Sequence, residues 1–553
     1  MSDRAQQISK HANKLFASDE RVNTDRTWQL ISEFMLPSQA GNFSEETTPG
    51  RRNMNRVFDS TAIQANHDLA ASIHSVLTNP AIEWSKIRFK DEQLNNNGEA
   101  IAWLEKVNKS IHDSFSESNF NNEIAKNYKL FTSLGSMAFL QEEEDHDDGG
   151  RFKGFRFKAV HLSEIAWAEN EKGIVDLVYR RFKLTAKQAV ERWGDKLGED
   201  VLKALETDPN KKFTFIHMIG PRDPKKVKLN SVGLASPKAR PFESIYVQLS
   251  NGQSRNSADP QILEEGGYYE FPLHVVRWET MPGEVYGRGP GHTALPDVRT
   301  LNKVKELGLQ AINKAINPPM IANQRSVLGS LDLRPGRISI VRDVDGLKEM
   351  PPQARFDVTN FAVEDLKNSV KSIFFLDKLL LPPRPEVKTE MTAFEIAQRV
   401  EQMQKVLGPT LGRLNFELLQ PLILRAFKMM LRGGALPPMP VILQELGIDV
   451  EIVFVNTLAR SQKMEEVTSI QALVQDVAFL MQLRPEAGDL LDVDSIIRLT
   501  SKIRGVPESA IADQEVVDQT REARAQAQQA QAALEAGVQA ADISAKTNPG
   551  GQQ

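Results

Sequence analysis

Cysteine is absent from the 553 residues. That excludes disulfides, thiolate nucleophiles and cysteine-ligated zinc or iron–sulfur sites, and it fits a reducing compartment. Long apolar runs are missing as well: no stretch approaches the ~18 uninterrupted apolar residues of a membrane-spanning helix. The opening segment, MSDRAQQISKHANKLF, lacks the apolar core of a signal peptide. There is no surplus of positive charge either. Lys and Arg total 68 against 73 Asp and Glu, a formal net charge of -5, so any contact with nucleic acid does not run through overall basicity.

Catalytic motifs are also lacking. The nine histidines are scattered, with no HExxH, no GxSxG elbow and no paired carboxylates on a strand end. His67 and His74 lie two helical turns apart, but nothing nearby completes a metal site, and solvation or packing explains them. The acidic run from Glu142 to Gly150 fails the calcium-loop pattern. Counted from Asp145, Gly149 falls at the fifth position and Arg156 at the twelfth, so an exposed hairpin tip is the better reading. The segment GEVYGRGPGHTALPDVRTLN, Gly283–Asn302, sits between a strand-like and a helix-like run. Gly287, Gly289 and Gly291 alternate but match neither GxxxxGK[ST] nor GxGxxG, and the turn holds no lysine. They are expected to permit close backbone approach in a tight hinge. No catalytic residue, metal site or cofactor is predicted.

What is present is a long chain with 41% hydrophobic and 25% charged residues, too long for one core. Helical periodicity predicts helices over 1–36 and 57–78, the second with Asp59 or Ser60 at its N-cap, and two more within 99–140, the last being NEIAKNYKLFTSLGSMAFL. From about 150 to 280 short β-rich runs dominate: RFKGFRFKAV, GIVDLVYRRF, KFTFIHMIG, FESIYVQL and LHVVRWE, with one helical insert, TAKQAVERWG. A helix follows over 296–316, with Pro296 in its first turn. Short strands come next, then a helix over 361–376, then DKLLLPPRPEVKTE with Pro382, Pro383 and Pro385. A long helix from Met391 to Arg432 has a capping-box spacing at Thr392 and Glu395 and a kink expected at Gly408–Pro409. VEIVFVN reads as a strand, 461–505 as helical, and the Ala/Gln-rich end as a helix with a small-residue seam at Val516, Thr520, Ala523, Ala527, Ala530, Leu534, Val538 and Ala541. The fold class is α+β, mostly helical.

Four segments carry a resemblance over most of the chain: RTWQLISEFMLPSQ, RVFDSTAIQANHDLAASIHSVLTNPAIEWSKI, VYGRGPGHTALPDVRTLNKVKELGLQAINKAINPPM and MTAFEIAQRVEQMQKVLGPTLGRLNFELLQPLI. In this order they resemble the head-to-tail connecting, or portal, proteins of short-tailed bacteriophages. The resemblance implies a ring of about twelve copies at one capsid vertex. Double-stranded DNA would pass through its channel for packaging and ejection, and the tail would attach to it. Implied partners are the chain itself, the terminase large subunit, the major capsid protein and scaffold, and tail adaptor proteins. The implied location is the portal vertex of the virion, and the host cytoplasm during assembly.

The resemblance further implies a wing over 1–295, a first stem helix over 296–316, a clip over 317–360 and a second stem helix over 361–376. A tunnel loop over 377–390 would follow, then a kinked wing helix and return strand over 391–460, a crown over 461–512, a barrel helix over 513–541 and a disordered tail over 542–553. Lys378, Arg384 and Lys388 are then candidates for DNA contact in the tunnel loop. Arg325, Arg334 and Arg337 are candidates for partner contact in the clip. Two rival readings are another structural component of the virion, from the tail or internal core, and an enzyme acting on nucleic acid. The second lacks a phosphate loop or carboxylate cluster.

Overall fold

Ser18 interrupts the first helical run. Its hydroxyl accepts from the Arg21 N–H, so the expected single helix becomes α1 (Ser2–Phe16) and α2 (Asp19–Met35). The computed structural model describes residues 2–37, 43, 56–144, 152–228, 235–249, 260–316, 320–322, 347–349, 356–379, 407–446, 449–454, 457–481, 484, 491–504, 512 and 516–529. After α2 come α3 (Thr61–Leu77), β1 (Ser85–Phe89), α4 (Gly98–Glu117) and α5 (Phe120–Leu134). Strands β2 (Ser136–Glu143), β3 (Phe155–Val160), β4 (Ile165–Glu169) and β5 (Val175–Thr185) lead to α6 (Ala186–Trp193) and α7 (Glu199–Thr207). Then come β6 (Lys212–Pro221), β7 (Phe242–Gln248), β8 (Gln261–Tyr268), β9 (Leu273–Arg277) and the long helix α8 (Pro290–Ile316). The remainder comprises β10 (Met320–Ala322), β11 (Leu347–Glu349), α9 (Phe356–Ile373), α10 (Leu376–Leu379), α11 (407–414), a π-helical turn (Asn415–Leu419) and α12 (Gln420–Arg432). Last are α13 (Val441–Leu446), β12 (Val450–Phe454), α14 (Thr457–Met481), α15 (Val493–Arg504) and α16 (516–529).

Several boundaries differ from the sequence reading for identifiable reasons. Gly135 adopts φ 70° and ends α5, so SMAFL is not helical but opens β2. At the start of α3 it is the Asp59 carboxylate, not the Ser60 hydroxyl, that accepts the Thr61 N–H. Helix α8 starts at Pro290, so Pro296 lies inside it rather than in its first turn. Helix α9 starts inside the expected clip, and α10 makes the first residues of the expected loop helical. Gly408–Pro409 lie in the first turn of the described part of α11, the residues before 407 lie outside the described ones, and a π turn at Asn415–Leu419 interrupts the helix further on. Residues 461–505 hold parts of two helices, α14 and α15. The acidic run begins within β2, Glu144 closes on the Gly154 carbonyl, and Asp145–Gly150 lie outside the described residues. Thr392, Glu395 and the chain beyond 529 lie there too.

The chain divides into two compact units, 1–84 with 109–436, and 85–108 with 437–553. The larger unit contains an antiparallel five-stranded sheet in the order β4-β5-β6-β7-β8. Each face of that sheet buries a different element. Ala5, Ile8 and Ala12 of α1 cover Tyr179, Ile216, Ile245 and Val247 on one side. On the other, Ala186, Ala189 and Trp193 of α6 with Val201 and Ala204 of α7 cover Phe213, Phe215 and Tyr246. A three-stranded sheet, β3-β2-β9, packs its aromatics with α5: Phe120, Phe139 and Phe157 stack or meet edge-on at 5.2–5.8 Å. The π turn points Glu417 inward, where it accepts from Arg277 Nη2 at 2.6 Å and from the Arg277 N–H at 2.9 Å, while Phe416 is left outside. Arg277 also pairs with Glu169, so one buried guanidinium ties β4, β9 and the π turn together.

The smaller unit has β1 and β12 paired antiparallel, Ser85 opposite Phe454 and Phe89 opposite Val450. Asn108 bonds both the N–H and the carbonyl of Ile87. Helices α14 and α15 pack together, and the Arg521 guanidinium of α16 makes a two-pronged contact with Asp494 at 2.5 and 2.7 Å.

Candidate assembly region around helices α8 and α9

The hinge into α8 is built against the C-terminal end of α5. The Gly135 carbonyl accepts from the Trp278 N–H at 2.8 Å, and Ser136 Oγ accepts from the Gly287 N–H at 3.0 Å. None of the three hinge glycines has positive φ, so the backbone conformation itself does not demand glycine. Space does. A Cβ on Gly289 would stand 2.8 Å from the Gly135 Cα, and one on Gly291 would stand 3.0 Å from the Ser133 Cα and overlap the Ser133 carbonyl. A Cβ on Gly287 would overlap the Gly135 carbonyl oxygen. The close approach is therefore between two segments of the same chain.

Side chains seal the same root. Glu20 Oε1 accepts from the Val285 N–H at 2.7 Å, and the fully buried Arg21 donates to the carbonyls of Ile165 and Leu162 at 2.6 and 2.8 Å. His292 Nδ1 accepts from the Gly289 N–H at 3.2 Å. Burial, reinforced by the Arg288 guanidinium, pulls its pKa down to about 4, so the ring is neutral and available as an acceptor at neutral pH. Further along α8, the buried Asn302 Oδ1 accepts from the N–H groups of Phe58 and Asp59 at 2.7 and 3.0 Å, and Lys305 pairs with Asp59 at 2.9 Å. Helix α9 packs along α8, with Ser369 Oγ donating to Asp297 Oδ2 at 2.6 Å.

Beyond Asn302 the character of α8 changes. Leu307, Leu309, Ile312 and Ile316 are exposed, Ile316 at 71%, and Phe361 on α9 is exposed at 79%. Together these residues form an exposed apolar surface on the helix pair. In the smaller unit Leu473, Phe479, Ile497 and Leu499 are exposed in the same way.

The sequence candidates fall differently. Gly287, Gly289 and Gly291 come together against Ser133–Ser136. Lys378 is exposed on α10, just past Phe375, whose φ of 59° is the left-handed turn that redirects the chain out of α9. Arg384, Lys388, Arg325, Arg334 and Arg337 lie outside the described residues. His74 bonds Thr78 and His67 lies beside Asp68. Among the described residues no group of three or more His, Asp or Glu is arranged to hold a metal, and no helix is long and apolar enough to cross a membrane. Glu20, Arg21 and Asn302 were missed. Only Asn302 left a trace, as a poor helix former inside a helical run.

Comparison with known proteins agrees with this region's character. A family model described as the bacteriophage head to tail connecting protein matches residues 5–511. The portal protein of Salmonella phage epsilon15 is 30% identical over 537 residues, covering 96% of this chain and 93% of that protein. A probable portal protein of Bordetella phage BPP-1 is 28% identical over 542 residues, covering 95% and 92%. With a matched model across nearly its whole length, the chain belongs to the family of bacteriophage head-to-tail connecting proteins.

Proposed function

We propose that the protein is a phage portal protein: a ring at one capsid vertex that passes DNA during packaging and ejection and carries the tail. The observation that carries this reading is the near-complete coverage of two portal proteins by this chain. The exposed apolar half of α8, with Phe361 of α9, supports it physically, because a chain that works alone would bury such a surface. On this reading α8 and α9 are the two stem helices, and β10–β11 belong to the clip between them. The segment from α10 onward is the tunnel loop, the larger unit supplies the wing, and α14–α15 supply the crown.

The charge balance suits a conduit. A groove that neutralises many phosphates binds DNA tightly and with steep salt dependence, whereas a channel must let the duplex slide. A net charge of -5 with a few loop cations, Lys378, Arg384 and Lys388, fits passage rather than retention. Arg325, Arg334 and Arg337 of the clip would face acidic surfaces of the terminase large subunit or a tail adaptor. The outer surface of the wing would meet the major capsid protein and scaffold. Assembly would take place in the host cytoplasm. The test is deletion of 317–355 in infecting phage. The expected result is capsids that fail in DNA packaging or tail attachment, and normal progress through both steps would remove the clip assignment.

A further inference from the structure

A closed ring needs a head-to-tail contact, in which two different patches of one chain meet the complementary patches of its neighbours. Two such patches are present on the larger unit. The first is a groove of about 730 Å³ between α2 and α8, with Leu30, Phe34, Phe58 and Pro296 as its apolar lining. Arg56, Arg299 and Lys303 stand along it; Arg56 pairs with Glu33 and Lys303 with Glu306, and among the described residues Arg299 is in no such pair. The second is the outer face of α9. Val363, Val370 and Phe374 are buried, and on the opposite side of the helix Phe361, Asp365 and Asn368 are exposed, with Glu364 exposed beside them.

The two patches match in chemistry. One is an apolar trough with Arg299 at its edge; the other is an aromatic knob beside Asp365, the neighbouring Glu364 being paired with Lys367. They also belong to different sides of the helix pair. The hydrogen bond from Ser369 to Asp297 marks where α9 lies on α8, and no α9 residue lines the groove. Helix α8 therefore presents its groove side away from α9, and a chain cannot fill its own groove with its own α9 without unpacking the pair.

We propose that the α2–α8 groove of one copy receives the outer face of α9 from the next copy, with Phe361 seated on the Phe58 and Pro296 lining and Asp365 facing Arg299. The occupant is thus a second copy of this chain. This rests on the ring reading above, and it adds which surfaces meet and in which sense. An aromatic anchor in a desolvated pocket is the usual centre of such an interface, and the charge pairs around it set register and direction.

The absence of cysteine makes the test clean, since every thiol is introduced by design. Two full-length single variants, Thr300→Cys and Asp365→Cys, are co-expressed and treated with a short bis-maleimide. Cross-linked dimers are expected from the mixture and not from either variant alone, because a head-to-tail contact puts position 300 of one copy against position 365 of another. A self-contact would instead link Thr300→Cys to itself, or Asp365→Cys to itself. In parallel, Arg299→Glu, and separately Asp365→Lys, are expected to lower the assembled fraction about tenfold or more through like-charge juxtaposition. The double variant is expected to recover it, as a coupled pair does in a double-mutant cycle. Unchanged far-ultraviolet circular dichroism checks that each variant folds. If the parent forms rings but no mixed cross-link appears and charge reversal leaves assembly unchanged, this contact is wrong and the portal reading stands. If the parent forms no ring under any condition, the portal reading itself falls.

Discussion

The two halves of α8 are made of the same kind of helix and are treated oppositely by the rest of the chain. From Pro290 to Asn302 the helix is gripped: Gly291 presses on Ser133, His292 folds back on the hinge, and Asn302 holds two N–H groups of the segment before α3. Past Lys305, which still pairs with Asp59, the large apolar residues Leu307, Leu309, Ile312 and Ile316 are exposed. The difference separates two jobs. The root carries intrachain stability and sets the direction of the helix. The far half contributes little to folding the single chain and has surface to spend on a neighbour. Substitutions at the buried contacts of the root, Gly291 and Asn302, should therefore destabilise the fold, and substitutions at exposed positions such as Arg299 and Ile312 should leave it folded but unassembled.

The largest effect is expected at Gly291. Replacement by Leu forces a side chain into the Ser133 backbone, which cannot yield as a flexible side chain would, and about 3 kcal/mol or more should be lost. The urea midpoint followed by tryptophan fluorescence reads this directly. Asn302→Ala should cost about 2 kcal/mol, because the N–H groups of Phe58 and Asp59 lose their acceptor. If Asn302→Ala matched the parent, the root would not be gripped as described.

The next effect is set by pH. His292 has a folded pKa of about 4, below the ordinary value of 6.5, so the unfolded chain binds its proton first as pH falls. Stability from this group is complete above about pH 6.5 and is lost as pH drops towards 4. The buried His274, pulled down to about 3 by burial with Arg425 adding to the effect, acts in the same direction. A loss of order 2 kcal/mol per ring is expected over that window. In His292→Gln the pH slope of the thermal midpoint between 6.5 and 4 should be shallower than in the parent. An identical slope would show that this ring does not carry the dependence.

Ile312→Asp tests the far half. The unfolding free energy of the unassembled chain should stay within about 0.5 kcal/mol of the parent, as for other exposed positions, while the assembled fraction falls. Comparable losses in both would erase the contrast between the halves. Smallest of all is the expected effect of Arg384→Ala with Lys388→Ala. Ring formation should be unchanged, with a modest, salt-sensitive fall in packaging efficiency or retention of packaged DNA. Parental packaging and retention would move both residues off the DNA path.

Much of this was legible in the chain, and the misses have physical causes. The β-rich run from 150 to 280 was visible because β-branched and aromatic residues recur between turn residues. Strands β4 and β8 were not, since IAWAE is too short for a period and QILEEGGY carries two glycines and two glutamates. The SMAFL error came from reading apolar spacing through Gly135, whose left-handed φ ends the helix. The need for glycine at 287, 289 and 291 was readable, but not its cause. That cause is the approach of Ser133–Ser136 from over 150 residues earlier in the chain, and no local pattern encodes such a contact. Glu20, Arg21 and Asn302 were hidden for the same reason: polar residues on helices read as solvated until the fold puts a backbone opposite them.

The most direct test of the central claim is the mass and shape of the purified chain at micromolar concentration, by sedimentation and negative-stain electron microscopy, without nucleotide or DNA. Closed rings with a central hole, at a whole multiple of the 61.9 kDa chain, are expected. A stable monomer under several salt conditions would contradict the claim that α8 and α9 hold their apolar surface ready for a neighbour.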